Sequence, residues 1–292
     1  MQDYFRGGGL TWAPSASKFV LILMCKKPTS LSLYRPICLC NFVYKILAYI
    51  INKRLLRGTT WFGAWRNIQG EIGIAKEMVH NINKKSIGSN IMINVYMDKA
   101  YDRLEWGFIV KVMRRFGFRE WAADILFRCM GSPWISISMM GKSFDFFKTV
   151  RGLRPGDPLS PSIFILAQYA PSRNINSGMK EGEIKSFRSG KGLFSHLMFT
   201  DDMNFFLNGI KSLINGFCKV MDAYKKCSVQ RINRRKRNVY ISKKFPSMCL
   251  RPIQRKLGMQ RSALPMVYLG APLSDGRIKK VLFEDIIKSV YG

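Results

Sequence analysis

Acidic side chains are scarce in this 292-residue chain, with 18 Asp and Glu against 48 Lys and Arg and a formal net charge of +30. Such a surplus suits a polyanionic partner, nucleic acid first, because each phosphate that Lys or Arg neutralises releases condensed counterions. Histidine is scarcer still, with two residues, and the seven cysteines include no Cys-x-x-Cys pair. Cys38 and Cys40 are the closest in spacing, and they give no zinc signature. An odd, scattered set of cysteines reads as reduced and structural, which fits the cytoplasm or nucleus. Long apolar runs are also lacking: Phe19–Cys25 and Ile46–Ile51 fall far short of the about 20 residues that a membrane helix needs. The N-terminus has no secretory pattern, so neither secretion nor a membrane partner is expected. Internal repeats and low-complexity tracts are absent from the sequence. At 47% hydrophobic residues, the chain has material for a sizeable core, in one large domain or two lobes.

Residues 1–27 contain Gly7-Gly8-Gly9 and no sustained periodicity, and are expected to be poorly ordered. Val43–Leu56 reads as a basic helix, and Ile68, Ile72, Ala75, Val79 and Ile82 recur at helical spacing. Residues 28–89 thus form a basic, mostly helical lobe. Asn90–Met97 reads as a buried strand. A helix is expected after it, started by Asp102 and Glu105 at capping-box spacing, with Leu104, Phe108, Val112 and Phe116 on one face. A further helix covers Glu120–Cys129, and a hairpin turns at Gly141-Lys142. Pro161 is placed to open a helix capped by Ser160. Helical spacing returns at Ile210–Tyr224, and Asn238–Ser242 reads as a last strand. The fold class is α+β, an antiparallel sheet with helices on one face in a split βαβ arrangement.

The most informative stretch is Ser195–Leu207, where Asp201 and Asp202 interrupt an apolar run. Both flanks read as buried strands, with Thr200-Asp201-Asp202 as the turn between them. Carboxylate oxygens are the hard ligands that Mg²⁺ takes, and two ions about 3.5–4 Å apart can clamp both oxygens of a phosphoryl transfer. Asp is equally a favoured turn residue that bonds its own backbone.

Further motifs stand in order along the chain: Arg35-Pro36-Ile37, Lys99–Arg103, Gly152–Pro161, Phe199–Asp202 and Tyr268–Gly270. Together they resemble the reverse transcriptase of plant non-LTR (LINE-type) retrotransposons, from about residue 28 to the C-terminus. The resemblance implies a right-hand polymerase with a fingers lobe at 28–89, a palm at 90–275 and the truncated start of a thumb or connection at 276–292. It implies that Asp201 and Asp202 ligate two Mg²⁺ ions, and that RNA template, DNA primer and dNTP are the partners. Tyr101 matches the aromatic that excludes a 2′-hydroxyl, Gly156 the glycine that lets backbone approach the nucleotide, and Arg154 belongs to the same nucleotide-binding motif. Lys236, in the basic run Arg231–Arg237, falls where the family places a lysine near the triphosphate. Tyr268, Leu269 and Gly270 match the primer-holding segment. On the residues alone, Tyr101 reads as a core aromatic, Gly156 as a turn glycine, the basic run as a solvated or nuclear-localisation patch, and Tyr268–Gly270 as an edge strand.

Departures from the family bear on activity. The third metal-binding carboxylate of the family falls at Tyr96, a phenol of ordinary pKa about 10 that carries no charge for Mg²⁺ at neutral pH. Asp98 is the nearest substitute, about 6–7 Å further along the same face of an extended strand. Pro155 replaces a glutamine, Thr200 an alanine, and Gly63-Ala64-Trp65 a Val-Pro-Gly. Pro171 lies inside a helix of the family, where proline costs about 3 kcal/mol. The pattern resembles a degenerate element copy, expected to be an isolated polymerase domain without endonuclease or RNase H. Three readings follow: an RNA-directed DNA polymerase, a non-catalytic nucleic-acid-binding remnant, or a pseudogene product that does not fold stably. On the charge alone, affinity for an RNA–DNA hybrid is expected to fall at least ~100-fold between about 50 and 200 mM salt. Fluorescence anisotropy checks this, and salt-insensitive binding would contradict it.

Overall fold

The alternation of apolar runs and turn residues does produce strands and helices in the computed structural model, which describes residues 2–8, 16–23, 25–30, 33–57, 68–131, 133–139, 142–189, 192–233 and 235–276. The strands are β1 (Ser17–Leu23), β2 (Tyr34–Cys40), β3 (Asn90–Tyr96), β4 (Trp134–Met139), β5 (Lys142–Lys148), β6 (Arg188–Ser189), β7 (Gly192–Leu193), β8 (His196–Phe199), β9 (Asp202–Asn208), β10 (Asn238–Ile241), β11 (Gln260–Arg261), β12 (Met266–Tyr268) and β13 (Ala271–Leu273). Two units share them, one of residues 1–63, 99–170 and 226–230, the other of 64–98, 171–225 and 231–292. The altered Gly63–Trp65 segment, Gly141 and residues 277–292 lie outside the described residues.

The first unit holds a four-stranded sheet in the order β2-β1-β4-β5, with β1 antiparallel to β2 and parallel to β4. Strand β1 falls inside the stretch without periodicity, where ladder pairing on both edges supplies what the local pattern lacks. Strands β2 and β5 are the edges, and every residue of β5 is exposed. The helix Phe42–Arg57 buries Tyr44, Leu47, Ala48, Ile51 and Leu55, the three-and-four spacing of one helical face.

The single helix expected from Asp102 is two, Ala100–Arg103 and Trp106–Arg115, and the capping box does not form. Leu104 and Glu105 are extended, and Glu105 makes no side-chain cap hydrogen bond. The break has a tertiary cause: Leu104 is fully buried, its carbonyl accepts from the Gly152 amide at 2.8 Å, and Trp106 Nε1 donates to the Gly152 carbonyl at 2.7 Å. Gly152 has φ +87°, and a Cβ there would lie 2.7 Å from the Asp102 carbonyl oxygen.

The second unit is built on a five-stranded sheet, β11-β10-β3-β9-β8, antiparallel except between β10 and β11. All seven residues of β9 are buried, as are six of seven in β3, so both apolar runs become central strands. Against them pack Ala75, Met78 and Val79 from the helix Ile68–His80, with Phe187, Tyr240, Tyr268 and Leu273. The helices Lys211–Ser228 and Ser247–Leu257 complete this unit, the second unanticipated.

The helix Ser160–Lys180 is continuous across Pro171. Ala167 and Ile175, one turn to either side, are wholly buried, and such packing holds a helix whose propensity is broken locally. Ser160 is its first residue rather than its cap, and Asp157 Oδ1 accepts from the Leu159 amide at 2.9 Å just before it. Replacing Gly152 by alanine is expected to lower stability by about 2–3 kcal/mol, through positive φ and a backbone clash. Urea unfolding measures it, and an unchanged midpoint would overturn this account of the helix break.

Candidate active site

The two-residue connection between β8 and β9 is Thr200-Asp201, with Phe199 paired to Asp202 across the ladder. Thr200 has φ +49°, a conformation that the first position of a primed hairpin turn wants and that glycine normally fills. A β-branched residue there stores strain of about 1–3 kcal/mol. Its hydroxyl donates to Asp201 Oδ1 at 3.1 Å, and the Asp201 carbonyl accepts from the Met97 amide at 2.9 Å. The turn is thereby pinned to the end of β3. The adjacent carboxylates face different surroundings: Asp201 is exposed and Asp202 buried.

Register places Tyr96 directly opposite Asp202, and its phenol hydrogen-bonds that carboxylate. Asn94 Nδ2 donates to Asp202 Oδ1 at 2.9 Å and to Asn204 Oδ1 at 2.8 Å, while Asn204 Nδ2 reaches Asp202 Oδ1 at 3.4 Å. Burial outweighs these donors, and the Asp202 carboxyl is pushed up to about 6. Tyr96 is pushed up to about 12, by burial first and then by the Asp202 charge. Asn94 and Asn204 did not figure in the sequence reading. Their signal was a polar amide inside each apolar strand, at positions that pair across the ladder.

Asp98 does not share an extended face with Tyr96. Strand β3 ends at Tyr96, Met97 forms a lone bridge with Ile232, and Asp98 begins a turn with its amide bonded to the Arg231 carbonyl at 2.7 Å. The basic run follows this edge: the Asn233 amide donates to the Tyr96 carbonyl, and Asn233 Oδ1 accepts from the amides of Arg235 and Lys236. Lys236 Nζ lies 5.9 Å from the centre of the Tyr96 ring. Asp201, Asp202, Tyr96 and Lys236 therefore share one corner of the second unit.

Tyr268 belongs to this unit as well, but its side chain is core, with its hydroxyl donating to Glu71 Oε2 at 3.2 Å. Leu269 and Gly270, both with positive φ, form the tip of the β12–β13 hairpin.

In the first unit, Tyr101 is half-buried and stacks on Phe164 with centroids 4.5 Å apart and planes 12° off parallel. The resemblance implied a nucleotide role for Arg154, yet its guanidinium is turned inward. It pairs with Asp157 at 2.7 Å, donates to the Tyr44 hydroxyl and the Cys129 carbonyl, and lies over the Tyr44 ring. A buried guanidinium needs such a counter-charge, and Asp157 supplies it. Gly156, φ +90°, does serve a close backbone approach, but to β2: a Cβ would lie 2.9 Å from the Cys38 carbonyl oxygen, while Pro155 accepts from the Cys38 amide.

Reverse transcriptase domains use divalent metal ions. The residues here do not fit a two-ion centre. Asp201 and Asp202 are the carboxylates in the turn, Asp202 is already engaged by three donors, and among the described residues no three His, Cys, Asp or Glu side chains group as metal ligands.

The raised Asp202 value sets a pH dependence. The folded chain keeps this proton from about pH 4 up to about 6 while the unfolded chain has lost it, so stability falls as pH rises through that window, by roughly 3 kcal/mol. Asp202→Asn is expected to remove most of that fall in urea titrations with chelator present. An unchanged pH profile would contradict it.

The family model described as reverse transcriptase (RNA-dependent DNA polymerase) matches residues 25–273. The retrovirus-related Pol polyprotein of type-2 retrotransposable element R2DM from Drosophila melanogaster is 26% identical over 178 residues, 59% of this chain and 16% of that protein. The chain thus spans about a sixth of that relative's length. Among solved structures, telomerase from Candida albicans with a fragment of telomeric RNA aligns with 89% of this chain and 44% of its own at a TM-score of 0.56 and 11% identity. Telomerase from Candida tropicalis aligns with 81% of this chain and 42% of its own at 0.52 and 14% identity. The RNA-dependent RNA polymerase of BmCPV aligns with 82% of this chain and 21% of its own at 0.51 and 10% identity. These neighbours share the polymerase palm fold, and with most of its length matched by the family model, the chain belongs to the reverse transcriptase (RNA-dependent DNA polymerase) family.

Proposed function

We propose that this chain is the reverse transcriptase domain of a non-LTR (LINE-type) retroelement protein, of plant lineage and degenerate. In this reading it binds RNA template, DNA primer and dNTP but does not extend the primer as it stands. One observation carries the second part: where the family has its third carboxylate, Tyr96 stands opposite Asp202 and hydrogen-bonds it. A neutral donor at that position adds no negative charge and occupies a lone pair that a cation would need.

Binding needs less than turnover. Tyr101, held flat by Phe164, keeps the rigid wall that selects deoxyribose, and Lys236 remains exposed beside the carboxylates. At the hairpin the primer contact falls to the Leu269-Gly270 tip, since Tyr268 is core. The Arg154–Asp157 pair acts through the shape of its loop. The protein works in the nucleus or cytoplasm, as its reduced cysteines and charge suggest. A polymerase active without change is the alternative, with Asp98 as third ligand; the turn that carries Asp98 away from β3 weighs against it.

The test is primer extension on an RNA template with Mg²⁺, comparing the native chain, Tyr96→Asp, and Tyr96→Asp combined with Asp201→Ala. Tyr96→Asp alone is expected to extend the primer, at least ~1,000-fold faster than the native chain, the scale of several kcal/mol of lost transition-state stabilisation. Extension by the native chain would sink the reading.

A further inference from the structure

The helix Phe42–Arg57 is apolar on both sides. Its inner face is buried, as described. Its outer face carries Phe42, Ile46 and Tyr49, which are 74%, 37% and 55% exposed, and Val43 at 40%. Phe42, Ile46, Tyr49 and Lys53 follow one another at i, i+4, i+7 and i+11, so they form one stripe within about 40° of the helix's outward direction. Lys53 Nζ lies 4.8 Å from the centre of the Tyr49 ring and closes the stripe with a cation. A surface helix ordinarily shows polar side chains on this side.

A second feature lies against the inner, buried side of the last turns, away from the stripe. A cavity of about 400 Å³, within the same unit, is lined by Phe5, Ile51, Leu55, Phe116 and Leu126, and by the exposed Arg54 and Arg119. The exposed Trp121 also borders it, with its Nε1 donating to the Phe5 carbonyl.

The charges narrow the occupant. The helix has no acidic residue; Lys53 ends the stripe and Lys45 flanks it, both exposed. A second copy of this surface would set like charges against each other. Single-stranded nucleic acid gains by stacking successive bases on flat rings, and the two rings of the stripe, Phe42 and Tyr49, stand seven residues or about 10 Å apart with the aliphatic Ile46 between them. Aliphatic and aromatic anchors at i, i+4 and i+7 between cations instead match a helix laid in a groove.

We infer that the outer face of Phe42–Arg57 is a docking surface for an acidic amphipathic helix of a partner protein, with apolar anchors on the stripe and carboxylates facing Lys45 and Lys53. The span from Phe42 to Lys53 is about 17 Å, which an about 12-residue partner helix covers. The inference is independent of catalysis.

The test uses the full chain and a fluorescent 14-residue synthetic helix with Leu at i, i+4, i+7 and i+11 and Glu or Gln elsewhere. Its controls are a scrambled peptide of the same composition and a 12-nucleotide single-stranded thymidine oligomer. The patterned peptide is expected to bind at least about 5-fold tighter than the scrambled one. The combined Phe42→Ser, Ile46→Ser, Tyr49→Ser variant, which leaves the charge unchanged, is expected to weaken the patterned peptide at least about 10-fold and the oligomer less than about 2-fold. Lys53→Glu alone should weaken the peptide about 3-fold, and circular dichroism checks that each variant folds. Equal binding of the two peptides, or an equal loss for the oligomer, overturns the proposal, the latter in favour of a nucleic-acid surface.

Discussion

A carboxylate taken out of water needs donors around it, and the ladder between β3 and β9 is arranged about that need at Asp202. Asn94, Asn204 and Tyr96 are polar groups in two strands whose other side chains, apart from Asp202 itself and the end pair Asn90 and Asn208, are apolar. Their register brings all three to one carboxylate. A slip of one residue would turn Asp202 to the other face and leave the amides unpaired among methyl and phenyl groups. The corner around Asp202 and the core of the second unit are thus specified by the same pairing.

The first unit solves a similar problem with full charges. Arg154 and Asp157 sit three residues apart on a loop bent by Gly152 and Gly156, and bury their charges against Tyr44. Such a pair adds little stability compared with apolar packing of similar volume, but losing one partner leaves an uncompensated charge. Its effect is to give the loop one shape. Thr200 is a smaller instance, a strained residue tolerated because the Met97–Asp201 bond and the β8–β9 pairing fix the turn around it.

Much of this was legible in the residues. Period-two and unbroken apolar runs gave β3, β8 and β9, helical spacing gave the helices at 42–57, 68–80 and 211–228, and the Asp-Asp turn lies at the hairpin tip. Strand β1 was not legible because its order comes from neighbours distant in sequence, β2 and β4. The break at Leu104 was hidden for a related reason: the Gly152 backbone that satisfies it lies nearly fifty residues away. The inward turn of Arg154 was not legible, because a motif gives a residue's position along the chain but not the direction of its guanidinium. Tyr96 shows the reverse. Its substitution stood out in the sequence, while the consequence, a phenol bonded to Asp202, required the register.

Strand β5 carries a practical consequence. Among the described residues no further strand pairs with its outer edge, and Phe144, Phe146 and Phe147 are exposed, a combination that favours intermolecular β-pairing. Lys142, Asp145 and Lys148 are spaced every third residue along it. In an antiparallel match of two such edges centred on Asp145, each lysine meets a lysine and the aspartates meet each other. In that match the like charges oppose pairing at low ionic strength, and they are screened at the ionic strengths used to strip nucleic acid from so basic a protein. Purification at high salt therefore weakens the gatekeeping charge on an exposed, aromatic edge strand.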